Sequence, residues 1–338
     1  MRVAIVHDDL VQWGGAERVL EGLMEIYPDA PIYTSVYDRG NQLLAQHFAP
    51  KKIISSFLQK IPGWKSMYKA LLPLYPIAFE QFDFSDFDLI ISHTTRFAKS
   101  IITKPKTKHI CYCHTPPRFL WHFSGELNYG WAEFLMSKLR LYDQVSANRV
   151  DYFFAGSVNA KKRIKKIYRR DAKVIYPFVD LDRFKQVETF DGGYFVIIGR
   201  SNKYKRLDLA KQACQELGLE IKIISGDLDD RMVVKVLAGC RALIIPGEED
   251  FGLVSLEAQA LGKPVIAYST GGSLETVINN QTGIFFDKQD TDSLKKALEK
   301  INRVNIKPDI CIDQARRFSK EKFKSDFVEA VASLEYTI

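Results

Sequence analysis

Short apolar runs alternate with longer stretches whose apolar positions recur at helical spacing, and this alternation continues along most of the chain. In the first half the runs are VAIVH (3–7), PIYTSV (31–36), LIIS (89–92), HICYC (109–113) and YFFA (152–155). The pattern restarts with YFVIIG (194–199), EIKIIS (220–225), ALIIP (242–246), PVIAY (264–268) and GIFF (283–286). Near-continuous apolar strands separated by helical patterns predict βαβ units and parallel sheets. Between the two series, residues 176–193 hold Pro177, several acids and the Gly192-Gly193 pair without a period, and read as a linker. Beyond Pro308, Phe318, Phe323, Phe327 and Val331 form an apolar stripe that predicts a closing helix over 318–338, able to pack on either lobe.

The expected architecture is therefore α/β: a Rossmann-like doubly wound domain over 1–175, the linker over 176–193, a second such domain over 194–317, and the terminal helix. A length of 338 residues suits two lobes of roughly 150 residues each. Two such lobes facing each other make a cleft lined by the C-terminal ends of strands, where ligands of open α/β sheets bind. The chemistry is to be sought in the loops after strands.

Composition narrows the class. With 46% apolar and 26% charged residues the chain is that of a folded soluble protein. No run approaches the ~18 apolar residues of a spanning helix, and MRVAIVHDDL reads as a strand, so a cytoplasmic protein is expected. Five cysteines, Cys111, Cys113, Cys214, Cys240 and Cys311, form an odd set without CxxC spacing, which implies no disulfide framework. Cys111, Cys113 and His114 lack a second ligand cluster, so no metal is expected there. The net charge of +7 is unevenly placed: Arg39 to Phe79 holds six basic residues and no acid, and KKRIKKIYRR (161–170) holds seven in ten. In residues 51–72 aromatic and aliphatic positions interleave with lysines, which suits an anionic membrane surface or a merely solvated basic face. No nucleic-acid motif accompanies the charge.

Three segments can carry chemistry. The loop from Asp8 to Gly15 ends in Gly14 and Gly15 before a helix, where backbone amides can meet an anion, although it is neither a dinucleotide fingerprint nor a phosphate loop ending in GK[ST]. After the 194–199 run come Gly199, Arg200 and Lys205, two cations able to neutralise a diphosphate or simply to face solvent. The segment from Pro246 to Val277 carries Glu249 and Glu257, a helix entry near Gly252, and Gly271-Gly272 before another helix start.

Taken together, Gly199-Arg200 with Lys205, EDFGLV (249–254) with Glu257, and PVIAY followed by Gly271-Gly272 and Glu275 resemble the retaining glycosyltransferases of family 4, which have the two-lobed GT-B fold. GGAERV (14–19), LPLYPIAFEQFD (72–83) and CYCHTPPRFLW (111–121) are similar to the bacterial O-antigen mannosyltransferase group. The resemblance implies that Arg200 and Lys205 bind the donor diphosphate, that Glu249 contacts the donor sugar and that Glu257 holds the ribose. It implies that amides of Phe251, Gly252, Leu253 and Val254 meet phosphate and sugar beside Asp250, and that Gly15 approaches the diphosphate from the other lobe. His114 either hydrogen-bonds the sugar or the acceptor, or caps a turn before Pro116-Pro117; Arg118 and Trp121 are candidate acceptor contacts. One departure is evident: only Asp227 to Arg241 separate the EIKIIS and ALIIP runs, so a βα unit usual in the family is missing and the nucleobase is left open.

The implied reaction is cleavage of the donor C1–O bond through an oxocarbenium-like state, with the acceptor arriving on the departing face and the leaving diphosphate able to take its proton. Mannose from GDP-mannose, passed to a lipid-linked or polysaccharide acceptor of a cell-surface glycan at the inner membrane, is the expected instance. A UDP-sugar transferase, an epimerase of the same fold and a non-catalytic sugar-nucleotide-binding protein are the alternatives. Asp-x-Asp pairs at 86/88, 180/182, 227/229 and 290/292 can hold a divalent ion in other sugar-nucleotide enzymes. Four scattered copies read as caps and turns, and neither metal nor organic cofactor is expected.

Overall fold

A computed structural model describes the chain except residues 69, 122, 124–128, 200–202, 226–229 and 336–338, and the side chains of 131, 203 and 335. It divides into two compact units, Met1–Ile175 with Phe327–Ile338, and Tyr176–Asp326. The first is built on strands β1 (Val3–His7), β2 (Ile32–Thr34), β3 (Ile53–Ser55), β4 (Leu89–Thr94), β5 (Lys108–Cys113), β6 (Tyr152–Ala155) and β7 (Ala172–Val174). These form one parallel sheet in the order β3-β2-β1-β4-β5-β6-β7. The second contains β8 (Tyr194–Ile198), β9 (Glu220–Ile224), β10 (Cys240–Ile245), β11 (Val265–Tyr268) and β12 (Gly283–Phe286), parallel in the order β12-β11-β10-β8-β9.

Helices on both faces explain why the central strands are apolar at nearly every position. In the first unit one face buries Ala4, Val6 and Ile90 with Phe79, Phe97 and Trp64, while the other buries Cys111, Cys113 and Phe153 against Ile164 and Tyr168. In the second, Val196, Leu243 and Val265 pack with Leu256 and Phe251 on one side, and Phe195, Ile244 and Ile266 pack with Leu209, Leu294 and Leu298 on the other.

Strand order reverses beside the first strand of each unit. β1 lies between β2 and β4, and β8 lies between β9 and β10, so the loops after β1 and β4, and after β8 and β10, diverge at a switch point. Such divergence opens the crevice that ligands of this sheet type occupy. All five cysteines are buried and free.

The structure adds two strands that periodicity does not reveal, β3 and β7. Each has three residues and closes a sheet edge, too short to establish a period. It also gives the basic aromatic block of residues 51–72 a packing role. Leu58 and Trp64 are buried, Phe57, Ile61, Tyr68, Leu71 and Leu72 pack against the same cluster, and Met67 is 42% exposed. The closing helix begins at Lys320 and ends at Glu335, inside the span expected from the apolar stripe. It returns to the first unit, where Phe327 packs against Tyr27, Tyr112 and Phe154, the last at 5.4 Å between ring centroids. Among the described residues, β9 and β10 are separated by a single helix, Asp230–Ala238.

Candidate active site

In the second unit the two loops at the switch point are held together by glycines. A Cβ on Gly247 would lie 2.0 Å from the Tyr204 carbonyl oxygen, so only glycine lets the turn Lys203–Lys205 settle on the end of β10. Gly199, just past β8, runs beneath the Lys205 side chain, its ideal Cβ position 3.3 Å from Lys205 Cδ. The result is a short ion pair: Lys205 Nζ donates to Glu249 Oε1 at 2.5 Å, with both side chains under a fifth exposed. Burial alone would lower the Lys205 pKa; the Glu249 carboxylate, with Tyr204 and Asp250, more than offsets this and leaves it raised. The ammonium stays charged at neutral pH.

The Glu249 loop is anchored on its other side. The Gly272 amide donates to the Glu249 carbonyl at 2.8 Å, and a Cβ on Gly272 would sit 2.3 Å from Phe251 Cα. Phe251 is buried between Tyr176 and Phe318, each with ring centroids 5.5 Å away. Tyr176 is itself pushed up to about 12 by burial and by the charge and hydrogen bond of Glu275. Phe251 therefore serves as a peg that fixes the loop. Gly252 takes the left-handed conformation, φ +97°, to begin the helix Leu253–Ala260. The first-turn amides, including those of Leu253 and Val254, emerge there with the positive end of the helix dipole. Asp250 is half-buried in the same loop.

Glu257 lies on that helix, and its Oε1 accepts from Arg183 Nη1 at 2.8 Å. Arg183 also faces Asp230 at 3.4 Å, and although burial works against its charge, Glu257, Asp230 and Asp180 hold its pKa up. Arg183 sits in the segment assigned as linker, where nothing periodic marks it, and its partner is 74 positions away. Arg200 lies outside the described residues. The site thus brings together Gly199, Lys205, Glu249, Asp250, Phe251, Gly252, Leu253 and Val254, with Glu257 on the following helix. It presents an ammonium, two carboxylates held by cations, and helix amides, a set that can bind a phosphorylated polyol: an incoming diphosphate would compete for Lys205 and release Glu249 to hydroxyl groups.

In the first unit Gly14 has extended backbone and caps the helix Gly15–Ile26. Asp8, first residue of the preceding loop, turns to the loop after β4, where it accepts from the amides of Thr95, Arg96, Phe97 and Ala98 and from the Thr94 hydroxyl. His114, one residue past β5, meets His93 with 2.6 Å between their Nε2 atoms. Arg118 opens the short helix Arg118–Trp121 and is half-buried. The polar atom of Trp121 points inward: Nε1 donates to Asp143 Oδ2 at 2.7 Å, a carboxylate that also receives Tyr168 at 2.9 Å and pairs with the buried Lys99. This leaves only the indole face of Trp121 for any acceptor.

The Asp-x-Asp pairs serve local structure where they are described. Asp180 accepts from the Asp182 amide, Asp290 caps the helix Thr291–Ile301 through the Ser293 amide, and Asp88 accepts from the Arg2 amide. Asp227 and Asp229 lie outside the described residues. Among those described, no three His, Cys, Asp or Glu side chains are grouped to hold a metal ion.

Comparison with known proteins gives the same result from both ends of the chain. Residues 13–183 match the profile of Glycosyltransferase Family 4, and residues 148–318 that of Glycosyl transferases group 1. The alpha-1,3/1,6-mannosyltransferase ALG2 of Mus musculus is 24% identical over 396 aligned positions, spanning 96% of this chain and 93% of that protein. The human ALG2 is likewise 24% identical, over 96% of this chain and 92% of its own. Among solved structures, Anabaena HepE in complex with UDP superposes with a TM-score of 0.69 at 17% identity, covering 98% of this chain and 100% of that one. Sucrose-phosphate synthase from Thermosynechococcus elongatus gives 0.74 at 14% identity, with complete coverage of both. At these identities the structural likeness speaks for the fold, two parallel-sheet α/β domains of GT-B type. The two profiles together cover both units, and the chain belongs to glycosyltransferase family 4.

Proposed function

We propose that this glycosyltransferase is a retaining mannosyltransferase that moves mannose from GDP-mannose onto a lipid-linked or polysaccharide acceptor of a cell-surface glycan. Likeness to ALG2 across nearly the whole chain supports the mannosyl reading. The observation that carries the site assignment is the Lys205–Glu249 pair, held at the end of two diverging strands beside a helix N-terminus.

In this mechanism Lys205, with Arg200, takes the negative charge that grows on the departing diphosphate, while the first-turn amides of the helix Leu253–Ala260 bind a phosphate oxygen. Glu249, freed from Lys205, accepts from sugar hydroxyls and orients the ring. Glu257 accepts from the ribose hydroxyls once Arg183 yields, and Arg183 holds that carboxylate in place until then. As C1–O cleavage proceeds, the diphosphate oxygen accepts the proton of the acceptor hydroxyl, which bonds to the face the leaving group vacates. In the first unit, His114 just past β5 and Gly14 and Gly15 at the start of the helix Gly15–Ile26 are assigned to sugar, acceptor and diphosphate. Arg118 and the indole face of Trp121 are assigned to the acceptor.

The cations on the chain supply the charge that a metal brings elsewhere, so transfer proceeds without one. Transfer of radiolabelled mannose from GDP-mannose to a lipid-linked acceptor, unchanged by a chelator, is the expected result. Mannose release only with a divalent ion would refute metal independence, and transfer from UDP-sugars alone would refute the donor. The second reading, a UDP-sugar donor, draws support from HepE, whose solved complexes contain UDP and UDP-glucose.

We also place the protein at the cytoplasmic face of the inner membrane. No helix among the described residues is long and apolar enough to cross a membrane. Because most apolar side chains of residues 51–72 pack inward, contact there would rely on Lys51, Lys52, Lys60 and Lys65 with Met67. Flotation with anionic liposomes at low salt, lost at high salt, is expected; absence of flotation at low salt would exclude this surface.

A further inference from the structure

Three histidines scattered along the sequence form a continuous line in the first unit. His7 ends β1 and is the register partner of His93 on β4, while His93 pairs across β4 and β5 with Tyr112, two residues before His114. The rings touch through their nitrogens: His7 Nδ1 to His93 Nδ1 at 2.9 Å, and His93 Nε2 to His114 Nε2 at 2.6 Å. At the inner end Glu17 Oε1 lies 3.7 Å from His7 Nε2, both side chains 4% exposed. His93 is fully buried and His114 half-buried, so the line runs from the strand ends into the interior.

A nitrogen-to-nitrogen hydrogen bond holds one proton, which constrains the tautomers. With all three rings neutral, two arrangements satisfy both contacts. In one, His7 turns an unprotonated Nε2 toward the Glu17 carboxylate, placing a lone pair against a negative charge. In the other, His7 Nε2–H faces Glu17, His93 Nδ1–H donates to His7, and His114 Nε2–H donates to His93. We propose that Glu17, His7 and His93 form a proton relay that selects this second arrangement, fixing His114 with its proton on Nε2 and its acceptor lone pair on Nδ1.

The relay also moves charge. A proton arriving at His114 Nδ1 is balanced by transfer of its Nε2 proton to His93 Nε2, and of the His93 Nδ1 proton to His7 Nδ1. One proton is taken up, and the positive charge ends on His7 beside Glu17, away from His114. Burial, followed by the neighbouring His114 and His7, holds the His93 pKa well below the usual range, so His93 conducts without retaining charge. Tyr112, stacked on His93 at 5.6 Å, has its pKa raised well above 10 by burial and stays neutral, and Asp8 is bound to the amides after β4. Glu17 closes the inner end of the line. His7, His93 and Glu17 are positioning residues; His114 alone would touch the ligand, a role that rests on the proposed transferase reading.

Long-range proton–nitrogen NMR of the full chain with ¹⁵N-labelled histidine reads the tautomers without any assay of transfer. At pH 8 the expected protons are on His7 Nε2, His93 Nδ1 and His114 Nε2; a proton on His93 Nε2 would overturn the proposal. Glu17→Gln keeps the shape and removes the charge, so the first proton uptake of the relay should move down by about one pH unit, as loss of a nearby opposite charge dictates. The acid limb of kcat should move by the same amount, with the donor KM unchanged. An unmoved titration in Glu17→Gln would overturn the relay. The predicted tautomers in a protein without transferase activity would uphold it and defeat the functional reading instead.

Discussion

Lys205 and Glu249 are 44 positions apart in the chain and 2.5 Å apart in space, and the glycines around them are what close that distance. Because Lys205 compensates a carboxylate and also waits for a diphosphate, its loss should act mainly on the reaction. Lys205→Ala is expected to lower turnover by about 100-fold or more while the cooperative unfolding transition persists, as seen by a transfer assay beside circular dichroism. Wild-type turnover in that variant would remove Lys205 from the site. Gly272→Ala should act on stability, since its Cβ would enter the Phe251 backbone. Relief requires the Glu249 loop to shift, at a cost of about 1–3 kcal/mol in urea unfolding together with weakened donor binding. At this scale the sequence shows residue type and spacing well: Gly199, Lys205, Glu249 and Gly252, singled out by type and spacing, lie together past the ends of β8 and β10. What it cannot show is pairing through space. Arg183 lies in an unpatterned segment, and the contacts of His7 with His93 depend on strand register, which is a property of the folded sheet.

The strands that build both sheet centres were legible because burial on two faces leaves long apolar runs, whereas β3 and β7 at the edges were not. The block from residue 51 to 72 illustrates a related limit. Its alternation of lysine with aromatic residues has the pattern of a surface helix, yet the structure breaks it into a strand, short helical turns and a four-residue helix, and most apolar side chains of the block other than Met67 complete the core. Helical spacing records that one face is apolar and says nothing of whether protein or lipid covers it. In the terminal helix Lys320–Glu335, Phe323 meets Phe178 at 5.2 Å, while Phe327, fully buried, packs on Tyr112 and Phe154. Phe327→Ala should cost about 3–5 kcal/mol through the cavity it leaves, measured as a lowered urea midpoint of the first unit. A cost below about 1 kcal/mol would mean that the helix end does not hold its place there.

For the molecule as a whole, buried neutral histidines make stability depend on pH. Burial lowers His109 to about 3, and burial with two neighbouring imidazoles also lowers His93. Both rings are protonated in the unfolded chain below about pH 6.5 but resist protonation when folded. Stability from these groups is therefore complete above about pH 6.5 and is lost as pH falls below it, toward about 3 for His109, by about 1.4 kcal/mol per pH unit for each ring. Denaturant unfolding at pH 7 and pH 5 should show this decline, and equal stabilities would contradict the burial of both. The overall plan, two parallel-sheet domains of a family 4 glycosyltransferase, was legible because it rests on the order of elements; the donor was not, because no motif in the chain reads a nucleobase. The most direct measurement is calorimetric titration of GDP-mannose into the wild-type protein and into Lys205→Ala and Glu249→Gln. Saturable binding by the wild type is expected, with at least tenfold weaker binding by each variant and weaker binding of UDP-, ADP- and dTDP-sugars. Equal affinity in all three proteins, or no binding of any nucleotide sugar, would contradict this expectation.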